Sequence, residues 1–205
     1  LNYNSIMYSK LMRTDEKWSQ MIHSMDAKHF EVVLLVAGVL FSPFGAAVFP
    51  FIIYLLSLLY FREDPSVTSG SDLFWKAVGH ALVYTAWILA SLVITVVLKK
   101  FIYRERPCVE NSSRLLYLRW NEHNGSFPSG DTLQSALFAG FVFLSFPVAG
   151  AQRLLQLLLI FVLVPLVAFA RVYYHCHWIG DCIFGAVFGL ALSMGPYLTV
   201  NAIYS

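Results

Sequence analysis

The stretch AVGHALVYTAWILASLVITVVL, within a segment covering about 74–98, constrains this chain more than any other feature. A run so long and so apolar is at home in hydrocarbon, where no water is available to satisfy backbone N–H and C=O groups. Helices meet that demand within a single segment. Five further apolar segments follow the same logic, at about 29–42, 46–61, 130–147, 153–170 and 178–200. The first two are short and separated by SPFG, a Pro/Gly break that ends a helix and allows a tight reversal. Each is near the lower limit of roughly 17 residues for a span, so a shallow hairpin is the alternative reading. Charged residues make up 13% of the chain, against roughly 25% in a soluble domain. The expectation is an all-α polytopic membrane protein with about six transmembrane helices over residues 29–205.

Residues 1–28 form a separate N-terminal segment. Met7, Leu11, Trp18, Ile22 and Met25 recur at helical spacing over about 5–26, while Lys10, Arg13, Asp15, Glu16 and Lys17 fall largely elsewhere. This reads as an amphipathic helix at the membrane interface, with an ordinary packed helix as the alternative. The segment lacks the apolar core of a signal peptide. The net charge of +2 is too small and too dispersed to point to a nucleic-acid partner. Cys108, Cys176 and Cys182 form neither a zinc pattern nor a disulfide framework, although a Cys108–Cys176 bridge stays open.

Six spans would place both termini on one side and gather the loop 99–128 on the other. On that second side three clusters converge: KKFIYRERP, the PSGD of residues 128–131, and ARVYYHCHWIGD. Each has a plain structural explanation: dipole-complementing cations, an N-cap turn, or an ion pair. Together they supply what a phosphate site needs. Lys99, Arg106 and Arg171 are cations able to surround phosphoryl oxygens. Ser129 and the amides of Gly130 and Asp131 sit at a helix start, where anions bind. His177 and Asp181 are four residues apart and share a helical face; a carboxylate on one imidazole nitrogen leaves the other free to attack.

These residues resemble the type 2 phosphatidic acid phosphatases (PAP2), which share their site with vanadium haloperoxidases. The family's first motif, Lys, six residues, Arg-Pro, is matched by Lys99, Arg106 and Pro107. Pro128, Ser129 and Gly130 match its Pro-Ser-Gly-His, and Arg171, His177 and Asp181 match its third motif at the family's spacing. The resemblance implies that His177 is a nucleophile forming a phosphohistidine and that Asp181 orients it. It also implies that Lys99, Arg106, Ser129, Gly130 and Arg171 hold the phosphate, with no metal and no cofactor.

Two positions depart from the pattern. Ala170 replaces a serine, and Asp131 stands where the family has the histidine thought to protonate the leaving group. Asp131 is therefore a substitute acid, a residue that tunes substrate choice, or a mark of lost activity. His123 and His175 are nearby candidates for a replacement acid; His80 reads as an interhelical hydrogen-bonder. The implied function is hydrolysis of a lipid phosphate or diphosphate in the bilayer, with a phosphotransferase or an inactive phospholipid-binding protein as alternatives. Lys and Arg divide evenly between the two sides. Discounting those recruited for phosphate leaves the terminal side cytoplasmic and the site facing a periplasm or organelle lumen. Two Asn-x-Ser sequons, at Asn111 and Asn124, lie on the site side.

Overall fold

The computed structural model describes residues 3–42, 45, 47–108, 118 and 124–204. Among these, all regular structure is helical: α1 (Tyr3–His23), a 3₁₀ turn (Lys28–Phe30), α2 (Glu31–Leu40), α3 (Phe49–Phe61), α4 (Gly70–Phe101), α5 (Gly130–Ser145), α6 (Gly150–Leu158), α7 (Val164–Tyr173), α8 (Ile179–Leu192) and α9 (Met194–Tyr204). A π-helical turn, Leu159–Leu163, joins α6 to α7 just before Pro165. The wider turn accommodates a residue that lacks an N–H and crowds the preceding carbonyls.

Three continuous helical stretches are long and apolar enough to cross a membrane: Gly70–Phe101, Gly150–Tyr173 and Ile179–Tyr204. Their outer faces carry exposed apolar side chains such as Leu82, Leu89, Val93, Leu155, Phe161, Ile183 and Val187. Helix α5 is different: from Thr132 to Val142 every residue is buried. It is the central post of the bundle, sheathed by protein rather than lipid. Helix α8 packs on it through a Gly-x-x-x-Gly pair. A Cβ on Gly185 would lie 2.6 Å from the Ser129 carbonyl oxygen, and one on Gly189 would collide with the Leu133 carbonyl. Two missing side chains thus let the backbones touch and bring the start of α5 against the start of α8.

Contacts along the post fix which end each segment occupies. At its lower end Phe146 meets Tyr60 and His80, and His80 also touches Phe61 and stacks on Tyr204. Near its upper end, α2 takes hydrogen bonds at the Glu31 carbonyl from Tyr174 and at the Gly38 carbonyl from Arg171. Midway, Phe41 stacks on Phe49, and both lean on Phe138. Helices α2 and α3, roughly 15 and 20 Å long at about 1.5 Å per residue, therefore run end to end down one side of the bundle.

Of the six spans expected, three helical stretches among the described residues have the length and apolarity to cross a membrane. Helix α1 lies at the upper end with the site residues, and Tyr204 at the lower. Lys10, Arg13, Lys17 and Lys28 consequently share the site's face. The even Lys/Arg division expected between the two sides is therefore shifted toward the site's face. Helix α1 turns Asp15, Ser19 and Ile22 toward the bundle, while Leu11, Trp18 and Met21 stay exposed.

Candidate active site

The site is built at the upper end of the central post, where the ends of α4 and α7 meet the starts of α5 and α8. The short segment 124–126 organises it through its carbonyls. Lys99 Nζ donates to the carbonyls of Gly125 (2.8 Å) and Ser126 (3.4 Å). Arg106 donates from Nε to the Asn124 carbonyl (3.0 Å) and from Nη1 to the Cys176 carbonyl (2.6 Å). Pro107, which follows, is fully buried and fixes the chain's exit. The same segment orients His177, whose Nδ1 lies 2.7 Å from the Ser126 carbonyl oxygen. A carbonyl only accepts, so Nδ1 carries the proton and Nε2 keeps its lone pair.

Asp181 is fully buried, and its Oδ2 lies 3.8 Å from His177 Nδ1, beyond hydrogen-bond distance. The expected Asp–His hydrogen bond is thus replaced by a backbone carbonyl, with the carboxylate as a close electrostatic partner. Asp181 Oδ2 instead accepts from the Trp178 amide (3.0 Å), and Oδ1 accepts from Arg104 Nη1 (2.8 Å). Burial pushes the His177 imidazole down to about 3; Asp181 opposes the shift, and Arg171, Arg106 and Lys99 add to it. The three cations therefore all disfavour the charged imidazole, and the ring is neutral at physiological pH.

Ser129 is buried at the N-cap of α5, yet its hydroxyl makes no capping bond; it pairs with the Thr132 hydroxyl at 2.9 Å. Its amide donates to the Asp181 carbonyl at 3.1 Å, joining the second and third motifs directly. Gly130 opens α5, and a Cβ there would make only ordinary contact with Thr95. Asp131 Oδ2 forms an ion pair with Arg171 Nε at 2.9 Å. Arg171 is nearly buried and is also held by the Gly38 carbonyl at 3.1 Å. A cleft of about 220 Å³ opens beside Lys99, lined by Val96, Lys100, Tyr103, Asn124 and Gly125.

Other sequence candidates lie elsewhere. His175 adopts a left-handed backbone and stacks on His23 of α1 at 4.3 Å. His80 bonds the Lys76 carbonyl of its own helix rather than a neighbouring one. None of the three cysteines is in a disulfide, so the Cys108–Cys176 bridge is not formed. His123, Arg114, Arg119 and Asn111 lie outside the described residues. Arg104 is the functional candidate that sequence reasoning passed over. It was visible as the third cation of KKFIYRERP, two residues before the motif arginine.

Among curated proteins no relative matches the chain. The fold is similar to that of the first transmembrane PAP2 type phosphatidylglycerolphosphate phosphatase from Bacillus subtilis. The TM-score is 0.65 at 21% identity, over 95% of this chain and 88% of that one. It is also similar to LpxE of Aquifex aeolicus, with a TM-score of 0.56 at 20% identity, covering 88% and 92% of the two chains. The sequence model of the PAP2 superfamily matches residues 80–204, from within α4 through the end of α9. With most of its length matched in this way and the three motifs gathered at one end of a shared fold, the chain belongs to the PAP2 superfamily.

Proposed function

We propose that this chain is an integral membrane phosphatase that hydrolyses a lipid phosphate or diphosphate through a phosphohistidine. One observation carries the reading: His177 Nδ1 is committed to the Ser126 carbonyl. That leaves Nε2 as a neutral, desolvated nucleophile in the field of Lys99, Arg106 and Arg171. In the first step the Nε2 lone pair forms a bond to phosphorus as the bond from phosphorus to the leaving oxygen breaks. The ring becomes cationic, and the Ser126 carbonyl and the Asp181 carboxylate offset that charge. The three cations and the start of α5 hold the phosphoryl oxygens. In the second step water attacks phosphorus, the P–N bond breaks, and free phosphate leaves.

Asp131 decides the substrate class in this reading. Its ion pair with Arg171 supports a tuning role: an ionised carboxylate has no proton to give an alkoxide. A phosphate leaving group needs far less protonation, so a lipid diphosphate is the favoured substrate. The exposed apolar face of α1, with Trp18 at its centre, suits the headgroup boundary beside the site.

The test is phosphate release by purified protein in detergent, with chelator present, over a panel of lipid mono- and diphosphates, with His177→Ala alongside. Turnover that disappears in the variant, fastest on diphosphates, is the expected result. No turnover on any substrate by folded protein would refute the hydrolase reading. Loss of substrate phosphate to an acceptor lipid without free phosphate would identify a phosphotransferase.

A further inference from the structure

One buried charge network joins the site to the N-terminal helix. Arg104 Nη1 donates to Asp181 Oδ1 and to Asp15 Oδ2, each at 2.8 Å. Its guanidinium lies over the Trp178 ring at 5.1 Å, and its Nε and Nη2 find no hydrogen-bond partner among the described residues. One nitrogen of Arg104 thus bridges two carboxylates, one from α1 and one beside the nucleophile.

The same α1 residues close the start of α8. The Gly180 amide donates to Asp15 Oδ1 at 2.8 Å, and the Ile179 amide donates to Ser19 Oγ at 2.9 Å. The first amides of a helix have no partner within it and are usually capped by an adjacent residue. Here the caps come from positions 165 and 160 residues away in sequence. A Cβ on Gly180 would lie 2.7 Å from Asp15 Oδ2, so the glycine is what admits α1 this close. Ser19 is fully buried in the contact.

We propose that α1 is a working part of the active site: Asp15, Ser19 and Arg104 are positioning residues that hold the first turn of α8 and the Asp181 carboxylate beside His177. The inference rests on the phosphohistidine reading for its catalytic consequence. Without Asp15, Arg104 has Asp181 as its one remaining partner in the pair, which weakens the carboxylate's field at the imidazole. The first turn of α8 also loses a cap. Both effects act on the step in which the ring becomes cationic, and neither removes a phosphate-binding group. The loss should therefore fall on kcat and spare KM.

The experiment compares Asp15→Asn, Asp15→Glu and Ser19→Ala with wild type in detergent. It measures kcat and KM on the best lipid substrate, and hydrogen exchange of the peptide containing Ile179 and Gly180. The expected result is kcat lowered roughly tenfold in Asp15→Asn, the scale of one pH unit in imidazolium stability, with KM within twofold. Asp15→Glu should recover part of the rate, and exchange at the α8 start should quicken in Asp15→Asn and Ser19→Ala. Unchanged kcat, or a raised KM at constant kcat, would overturn the proposal. Should Asp15→Asn not fold, Ser19→Ala decides: unchanged exchange at Ile179 would overturn it. If wild type turns over nothing, the functional reading fails separately, and exchange alone decides whether α1 holds α8.

Discussion

Replacing Asp131 by Asn tests whether this carboxylate restrains the phosphate site. It lies 2.9 Å from Arg171 Nε. A phosphate oxygen bound to the same guanidinium would sit about 5 Å from the carboxylate. At an effective dielectric of about 20, two unit charges at that separation repel by roughly 3 kcal/mol. The carboxylate is partly exposed and screened, so about 1–3 kcal/mol survives, or roughly five- to 150-fold in affinity. Asp131→Asn keeps the shape and removes the charge. Competitive inhibition by inorganic phosphate should tighten by one to two orders of magnitude, while kcat on a lipid diphosphate changes by less than about fivefold. The assay is steady-state phosphate release with a phosphate titration at pH 7, on paired mono- and diphosphate substrates. If Asp131 were instead the general acid, kcat would fall by about 10²–10⁴ on the monophosphate, with no gain in phosphate affinity. Either that fall or an unchanged inhibition constant would refute the argument.

The buried His177 also makes stability depend on pH. Its pKa is about 3 in the folded protein against 6.5 for the free side chain, so below pH 6.5 the unfolded chain takes up a proton that the native state refuses. Stability from this group is complete above pH 6.5 and is lost as pH falls from 6.5 toward 3, by about 1.4 kcal/mol per unit. Melting temperature against pH should accordingly fall less steeply in His177→Gln than in wild type. Gly189→Ala should cost about 2 kcal/mol or more, because the new methyl meets the Leu133 carbonyl across the α5–α8 contact; an unchanged melting temperature would contradict the packing. Cys108 is exposed while Cys176 and Cys182 are buried. A thiol reagent should label one cysteine in the folded protein and three after denaturation.

Hydropathy alone dictated that residues 74–98, 153–170 and 178–200 are long apolar helices, because hydrocarbon leaves a backbone few other ways to satisfy itself. The site was legible for a related reason. The groups proposed to bind phosphate and to attack it sit at helix ends in short spaced motifs, so local order nearly fixes their relative placement. Long-range contacts decided the rest. Segments 29–42 and 46–61 read equally well as a hairpin or as one interrupted run, and only the contacts of Tyr174 with Glu31 and of Phe146 with Tyr60 show that α2 and α3 reach opposite ends of the post. His177 and Asp181 have the spacing of a hydrogen-bonded pair, yet the Ser126 carbonyl, 51 residues away, accepts the Nδ1–H hydrogen bond. Asp131 has a meaning only once Arg171 stands 2.9 Å from it. Helix α1 reads as a surface amphipath because periodicity records which residues share a face, not what that face meets. Asp15 and Ser19 acquired their role when tertiary packing set them against the first amides of α8, where a buried N–H requires an acceptor wherever in the chain it comes from.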